Sequence, residues 1–583
     1  TIKNGIEWTV REGYEKIPDR FDPDDFLSDL NGKHYILVKE NRVRSVISIP
    51  GSDISEDGIY IKYFKKGDYR DYIKHLFVPT KARTEWDVGN ALLSKDIKTA
   101  LPLAISEGKR CLLMVTETVT DSEELMEFCQ AHYEGSLSVG KESEKKILLD
   151  KLALLIRDIH EKGFCHYDLH AGNILIKFKK EQNAAGYDLY LMDLHRVKIF
   201  KSISINKRMF NLAQISNSLS SIMTKADKLN FIRSYGTNVL GNITDEHNLV
   251  KQIDEQSSMI RNIHYRSRRK RCLKESSVFS IKRSASMKMF FRKGYDTDSL
   301  HELIEKHNSA LTNNDSAVII KRDSKTALTR HAFKDKTVQN VVVKQYRVGC
   351  PGCLIKNIFR GSSGRKAWVA GNGLRVYGLN TPLPLALLEK KRFGVTTGSY
   401  VIMEEVKDSL EMDRYMLKDF SNRLETNQCK EESHFTTTPL SPPSQGGDLK
   451  KLSRDPKKME LISGLAKTLG DMHNHNIFHH DLKTCNIMVR ENDKSFDFTF
   501  LDFDKVSFRE EITVRKRVKN LTQINLSTPR LFTLTDRLRF LKEYLGQCDI
   551  TNEKKNILRE VITLSKREKI LYVSFQGDVT EDW

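Results

Sequence analysis

Apolar positions along this chain of 583 residues follow a strand period first and a helix period later. The run Ile59–Phe64 is largely apolar with one lysine, Lys62, in its middle, which predicts a strand. Apolar residues then recur at intervals of four, three and four over Leu148–Ile159, which predicts an amphipathic helix. Two short apolar runs, Ile174–Ile176 and Leu189–Met192, flank a polar turn and predict a hairpin.

The same order of elements returns in the second part of the chain. Val341–Tyr346 predicts a strand around Lys344, the spacing over Ile462–Met472 predicts a helix, and Phe498–Leu501 predicts a strand. Three pairs of segments also match: Glu85–Asn90 with Ala367–Asn372, Asn211–Ile215 with Asn520–Ile524, and Asp227–Phe231 with Asp536–Phe540. We therefore predict a duplication into domains 1–262 and 263–583, each an α+β fold with a β-rich N-lobe and a helical C-lobe.

Residues 421–455 interrupt the second copy. This segment contains Thr436–Pro439, paired prolines and paired glycines, and it has few apolar residues that could form a core. We predict a disordered insertion here. It would also explain why Lys344 lies farther from Asp481 in sequence than Lys62 lies from Asp168.

Each copy carries an Asp, an Asn five residues later, and a second Asp after the predicted hairpin. The two sets are Asp168, Asn173 and Asp193, then Asp481, Asn486 and Asp502. In kinase-type phosphoryl transfer the first Asp accepts or orients the attacking hydroxyl, and the Asn and the later Asp hold Mg²⁺. The fixed interval lets one tight loop direct both side chains at the same phosphate. The pattern favours an ATP- and Mg²⁺-dependent phosphotransferase with the protein-kinase fold in both copies.

A lysine on an early strand completes this machinery in kinases, where it contacts the ATP phosphates and pairs with a helical Glu. In the first copy we assign these positions to Lys62 and Glu85. In the second copy Lys344 is the lysine, but Ala367 stands where the first has Glu85. Either another acid substitutes, or the second copy is weakly active or structural. Neither copy has a clear G-x-G-x-x-G loop, so the phosphate-gripping segment is not located from sequence.

The formal net charge of +19 predicts an anionic partner, such as a membrane surface or a phosphorylated glycolipid. No apolar run approaches the length of about 18 residues that spans a bilayer, and the first residues do not resemble a signal peptide. The histidines between His473 and His480 favour a loop and helix-end role over zinc. We assign His480 to the catalytic-loop histidine.

Both copies resemble the lipopolysaccharide-core kinases, the Kdo/heptose kinase family of Gram-negative bacteria. The resemblance rests on Asp168–Asn173 with Asp193–Arg196, and on Asp481–Asn486 with Asp502–Lys505. Asp-Leu-His-Arg is similar to the heptose kinases, and Asp-Phe-Asp followed by a basic residue is similar to the Kdo kinases. The resemblance implies tandem protein-kinase-like domains that phosphorylate a sugar hydroxyl of the inner core with ATP and Mg²⁺. It also implies a lipopolysaccharide core or lipid A glycolipid as partner, at the cytoplasmic face of the inner membrane.

Other functions stay open at this point. The loop motif alone does not name the acceptor, so a small-molecule or protein kinase is an alternative. Ala367 and the missing glycine loops also allow a non-catalytic pair of pseudokinases that acts as a membrane adaptor. Nucleic-acid binding would rest on charge alone, with no reading motif, and is not expected.

Overall fold

A computed structural model describes the chain except for some segments, and of residues 3, 20 and 422–431 it describes the backbone alone. The segments outside the described residues are 1, 4–5, 21–35, 41–43, 52–54, 66–77, 108–111, 136, 179–185, 241–244, 334–338, 349–356, 358–360, 432–454, 494, 510 and 549–552. The chain divides into two compact units, Thr1–His264 and Tyr265–Trp583, called here the first and the second unit.

The first unit contains a seven-stranded antiparallel sheet. Its strands are β1 (Ile2–Lys3), β2 (Ile6–Val10), β3 (Ile36–Glu40), β4 (Arg44–Ile49), β5 (Ile59–Phe64), β6 (Pro102–Glu107) and β7 (Leu112–Glu117). They lie in the order β1-β2-β6-β7-β5-β4-β3, so β5 is an interior strand between β4 and β7. Ile59 and Ile61 are buried in the core under this sheet. Because side chains alternate along a strand, Lys62 lies on the opposite face.

Most helices of the first unit surround a second core. The helices are α1 (Ile17–Arg20), which packs in the core under the sheet, α2 (Lys81–Leu93), α3 (Leu125–Tyr133), α4 (Val139–Glu161), α5 (Ile205–Ser218), α6 (Lys225–Tyr235) and α7 (Glu246–Arg269), which continues past the end of the unit at His264. The predicted helix over Leu148–Ile159 is confirmed as part of α4, with Leu148, Leu152 and Ile159 fully buried. Helix α4 ends at Glu161, shortly before the loop that carries Asp168.

Short strands bring the functional loops of the first unit together. They are β8 (Ser122–Glu124), β9 (Phe164–His166), β10 (Ile174–Phe178), β11 (Tyr187–Leu191) and β12 (Val197–Ile199). The predicted hairpin is confirmed, because β10 pairs with β11 from Ile174–Leu191 to Phe178–Tyr187. β9 pairs with β12, with His166 opposite Val197. The loop that follows β9 and the turn that follows β11 therefore lie next to each other.

The second unit repeats this arrangement. Its strands are β13 (Phe279–Arg283), β14 (Met287–Arg292), β15 (Ile319–Arg322), β16 (Thr326–Ala332), β17 (Asn340–Arg347), β18 (Pro384–Arg392), β19 (Val395–Glu404), β20 (Leu410–Glu411), β21 (Ile477–His479), β22 (Ile487–Glu491), β23 (Phe496–Phe500), β24 (Val506–Phe508), β25 (Ile570–Ser574) and β26 (Gly577–Glu581). The large sheet has the order β13-β14-β18-β19-β17-β16-β15, which matches the first unit strand for strand. Lys344 on β17 takes the place of Lys62 on β5.

The helices of the second unit are α8 (Thr297–Asn313), α9 (Ser363–Val376), α10 (Met412–Glu431), α11 (Pro456–Asn474), α12 (Val514–Ser527), α13 (Leu534–Gln547) and α14 (Lys554–Ser565). The predicted fold class is confirmed: each unit has a β-rich N-lobe followed by a helical C-lobe. The predicted disordered insertion needs a correction at its start, because α10 continues to Glu431. Its remainder, 432–454, lies outside the described residues.

One further pair of equivalent contacts shows how closely the C-lobes correspond. In the first unit Lys145 on α4 contacts Asp227, the residue that closes the capping box of α6. In the second unit Lys458 on α11 contacts Asp536 of the α13 capping box at 2.8 Å. Across the described residues, no helix combines the length and the apolar content that a membrane crossing requires.

Candidate active site

The loop of the first unit that carries Asp168 is held from inside by a histidine. His166 Nε2 lies 3.1 Å from the Met192 carbonyl oxygen, and Nδ1 accepts a hydrogen bond from the Asp168 backbone N–H at 3.1 Å. A carbonyl can only accept, so the imidazole is neutral and carries its proton on Nε2. Burial lowers the pKa of His166, which agrees with a neutral ring. His166 thereby ties the catalytic loop to the strand end that precedes Asp193.

Helix α5 holds the same loop from below through two amides. Asn211 donates to the His166 carbonyl at 2.6 Å, and Gln214 donates to the Tyr167 carbonyl at 3.0 Å. Gln214 also accepts from the Leu169 N–H at 3.3 Å. Sequence reasoning gave these residues no role. The sequence did contain a signal that could have identified them. Asn and Gln occur three residues apart in both Asn211–Ile215 and Asn520–Ile524, so both copies keep the same two amides.

The candidate metal ligands are Asn173, at the end of this loop, and Asp193, in the turn after β11. The Asn173 amide NH₂ donates to the Asp168 carbonyl at 2.8 Å, which leaves its side-chain oxygen available. Asp193 has φ 57°, a left-handed conformation that turns the chain sharply after β11. An amide oxygen and a carboxylate are the hard oxygen ligands that Mg²⁺ prefers. The donor set therefore fits a magnesium ion with bound phosphates.

The lysine and the helical Glu predicted for the first unit form an ion pair. Lys62 Nζ lies 2.6 Å from Glu85 Oε2 and 4.0 Å from Asp193 Oδ1. Burial alone would raise the pKa of Glu85, but the charge on Lys62 and the nearby His195 hold that pKa below its usual value. Glu85 is therefore ionised and fixes the ammonium group between helix α2 and the Asp193 turn.

His195 is part of this cluster and was not predicted as a site residue. Its Nδ1 lies 3.0 Å from Asp193 Oδ1 and 3.4 Å from Glu85 Oε1. Burial would lower the pKa of His195, but the two carboxylates raise it above the usual value. Among the described residues, Glu85, Asp193 and His195 form the one group of three potential metal-binding side chains. The short contacts of His195 with both carboxylates offset part of their negative charge.

The second unit reproduces the loop but changes the partners of its lysine. Asn486 donates to the Asp481 carbonyl at 2.8 Å, as Asn173 does to Asp168. Lys344 Nζ lies 2.5 Å from Asp502 Oδ1 and 2.9 Å from Asp504 Oδ1. Ala367 is fully buried. Of the alternatives left open by the sequence, the structure shows that another acid contacts Lys344.

The assignment of His480 to the catalytic-loop histidine is wrong. His479 makes the equivalent contacts, with Nε2 3.0 Å from the Leu501 carbonyl and Nδ1 accepting from the Asp481 N–H at 3.2 Å. The nearby His473 is buried between Tyr544 and Asn520, at 2.7 and 3.1 Å. These histidines have separate partners, so they do not form a shared metal site.

Comparison with known proteins identifies the family to which the chain belongs. The profile of the lipopolysaccharide kinase (Kdo/WaaP) family matches residues 38–235 and 447–544, slightly more than half of the chain. The chain belongs to this family. The predicted resemblance is thereby confirmed, and the two matched regions fall in different units. As a member of a kinase family, the chain is a phosphotransferase.

Individual relatives are distant. The lipopolysaccharide core heptose(I) kinase WaaP of Pseudomonas aeruginosa is 23% identical over 262 residues, 43% of this chain and 94% of that protein. The enzyme of the same name from Escherichia coli is 21% identical over 251 residues, 41% of this chain and 91% of that protein. Among solved structures, WaaP in complex with acyl carrier protein aligns with a TM-score of 0.34 and 23% identity, over 44% of this chain and 99% of that one.

Proposed function

We propose that the first unit phosphorylates a sugar hydroxyl, of heptose or Kdo, in the lipopolysaccharide inner core, using ATP and Mg²⁺. Membership of the kinase family supports the reaction type, and the names of the two WaaP relatives support the acceptor. The observation that carries the proposal is the convergence of Lys62, Glu85 and Asp193 within 4.0 Å beside the Asp168 loop.

Asp168 is the residue we assign to the acceptor hydroxyl. Its backbone is fixed by His166 and Asn173, so its carboxylate is presented from a rigid loop. It would orient the hydroxyl and accept its proton as the oxygen attacks the γ-phosphorus. The γ-phosphoryl group passes to the sugar oxygen, and ADP leaves with the bridging oxygen.

Lys62 is the residue we assign to the ATP phosphates, with Glu85 as the group that positions it. Asn173 and Asp193 would hold Mg²⁺, which when bound neutralises charge on the phosphates. Catalysis of this kind comes from positioning and charge neutralisation more than from covalent chemistry. The short contacts around Lys62 and Asp193 supply that positioning before substrate arrives.

We place the reaction at the cytoplasmic face of the inner membrane, where ATP and a lipid-linked core meet. The acceptor is anionic, and the formal net charge of +19 favours binding to it and to an anionic membrane surface. Salt should weaken this attraction, because the Debye length falls to about 8 Å at physiological ionic strength.

The test is transfer of labelled phosphate from ATP to dephosphorylated core lipopolysaccharide in the presence of Mg²⁺. The unmodified chain is compared with Asp168→Ala, Asp481→Ala and a matched control, Asp158→Ala, whose carboxylate pairs with Lys162 on the surface of α4. We expect Asp168→Ala to abolish a product that Asp158→Ala leaves intact. ATP binding without transfer to any core acceptor would overturn the proposed acceptor, and the absence of ATP binding would favour an adaptor.

A further inference from the structure

Three positions around the active-site lysine differ together between the two units. The helix position is Glu85 in the first unit and Ala367 in the second, by the match of Glu85–Asn90 with Ala367–Asn372. The second residue after the metal-binding Asp is His195 in the first unit and Asp504 in the second. The second residue after the lysine completes the set: it is Phe64 in the first unit and Tyr346 in the second.

The contacts show that these differences compensate one another. In the first unit the lysine ammonium is held by the helix acid, at 2.6 Å. In the second unit Asp504 contacts Lys344 at 2.9 Å, and the Tyr346 hydroxyl donates to the same Asp504 oxygen at 3.2 Å. The acid has moved from the helix to the turn after Asp502, and the added hydroxyl holds it there.

A buried lysine needs such a partner, because an uncompensated buried charge is strongly destabilising. Asp504 and Asp502 lie 2.9 and 2.5 Å from the Lys344 ammonium group, so two carboxylates balance its charge. A charged and fixed ammonium group is what binding of nucleotide phosphates requires. Without Asp504, the acid left beside Lys344 would be Asp502, the residue assigned to the metal.

The candidate metal-binding residues of the second unit repeat the geometry of the first. Asn486 and the Asp481 carbonyl keep the contact that Asn173 and Asp168 make. Asp502 has the same left-handed backbone as Asp193, with φ 51°. Lys505 Nζ lies 2.9 Å from Asp481 Oδ2 and 3.4 Å from Asp502 Oδ2, so it links the two acidic residues of this site.

We propose that the second unit is a second MgATP-binding site, in which Asp504 replaces the missing helix carboxylate as the positioning residue for Lys344. Tyr346 fixes Asp504 in this role. The proposal rests on the proposed function only for the identity of the nucleotide. It does not depend on the acceptor of the first unit.

The experiment uses the full chain with the first site blocked by Lys62→Met and Asp193→Ala, and measures MgATP binding by isothermal titration calorimetry. We expect two sites in the unmodified chain and one in the blocked chain. Adding Asp504→Asn, which keeps the shape but removes the charge, should weaken the remaining site by about tenfold or more. The matched control is Asp497→Asn, an exposed carboxylate of the same unit that pairs with Arg490.

A transplant variant tests the compensation directly. Ala367→Glu, Asp504→His and Tyr346→Phe together recreate the first unit's set in the second, and should bind MgATP more tightly than Asp504→Asn alone. A folded blocked chain that binds no MgATP at millimolar concentration, or an Asp504→Asn affinity equal to that of the control, would overturn the proposal. If the transplant variant does not fold, the Asp504→Asn comparison decides. An unmodified chain that binds no MgATP would overturn this proposal and would also count against the function proposed for the first unit.

Discussion

Arg44 donates a hydrogen bond from Nη1 to Asp193 Oδ1 at 2.6 Å, on the carboxylate assigned to Mg²⁺. Arg44 is the first residue of β4 and lies opposite Phe64 in the sheet register. In the second unit the equivalent register position, opposite Tyr346, is Thr326. Arg44 therefore neutralises that carboxylate in the first unit and would compete for it with the proposed metal.

Replacing Arg44 by Met should therefore strengthen the binding of Mg²⁺ in the absence of nucleotide. A charge-assisted hydrogen bond is worth enough that the half-saturating Mg²⁺ concentration should fall by about tenfold. The measurement is the rise in melting temperature of the chain with increasing Mg²⁺. Arg44→Lys keeps the charge and serves as the control. An unchanged Mg²⁺ midpoint in Arg44→Met would mean that Arg44 does not compete for Asp193.

Replacing Glu85 by Ala should uncouple Lys62 from helix α2. Asp193, 4.0 Å from Lys62, would then be the nearest acid to Lys62. The ammonium group would move towards Asp193 and away from the position in which it contacts the ATP phosphates. Misplacement of a catalytic group by about 1 Å can cost on the order of 100-fold in rate, and we expect kcat/KM of the first unit to fall by that amount. The assay is phosphate transfer at several ATP concentrations.

Glu85 acts through Lys62, so the two changes should not add. The double variant Glu85→Ala, Lys62→Met should be no slower than Lys62→Met alone. A double variant that multiplies the two losses would show that Glu85 has a role of its own.

Motifs with a short, fixed spacing could be predicted from the sequence. Asp168, Asn173 and Asp193 were predicted because a single loop and hairpin position them, and the period of two identified the strand that carries Lys62. The duplication added a second example of each element. The fold and the pairing of Lys62 with Glu85 therefore follow from local patterns, whereas His195 was not predicted.

Contacts between distant segments could not be predicted in this way. Asp504 as the partner of Lys344, and Arg44 as the partner of Asp193, depend on how a strand meets a turn about 150 residues away. The error at His480 has a simpler cause. Two adjacent histidines precede Asp481, and the sequence interval from the histidine to the Asp decides between them. That interval is two residues in His166–Asp168, and it is also two in His479–Asp481. Applied to both copies, that interval would have identified His479.

Gln214 should control catalysis without touching substrate, because it bonds two backbone groups on either side of Asp168. We expect Gln214→Ala to lower kcat by about tenfold to 100-fold, with little change in KM for ATP. The matched control is Asn217→Ala on the same helix, an amide that contacts Arg261 instead of the loop. Equal kcat values for the two variants would show that the loop does not depend on Gln214.

Two buried histidines should make the stability of each unit depend on pH. Burial lowers the pKa of His160 to about 4 and that of His473 to about 3, and each ring is held by a Tyr and an Asn. The pKa of His in an unfolded chain is about 6.5, so the unfolded chain binds protons first as pH falls. The stabilisation is complete above that pH and is lost progressively towards the folded-state pKa.

Between about pH 7 and pH 5, each histidine should therefore cost on the order of 1–2 kcal/mol of unfolding free energy. Urea unfolding at several pH values measures this for each unit, with two transitions where the units unfold separately. His160→Gln and His473→Gln remove the titrating group and should flatten the pH dependence of the first and second unit respectively. A variant that is uniformly less stable but keeps the unmodified slope would show that its histidine is protonated equally in both states.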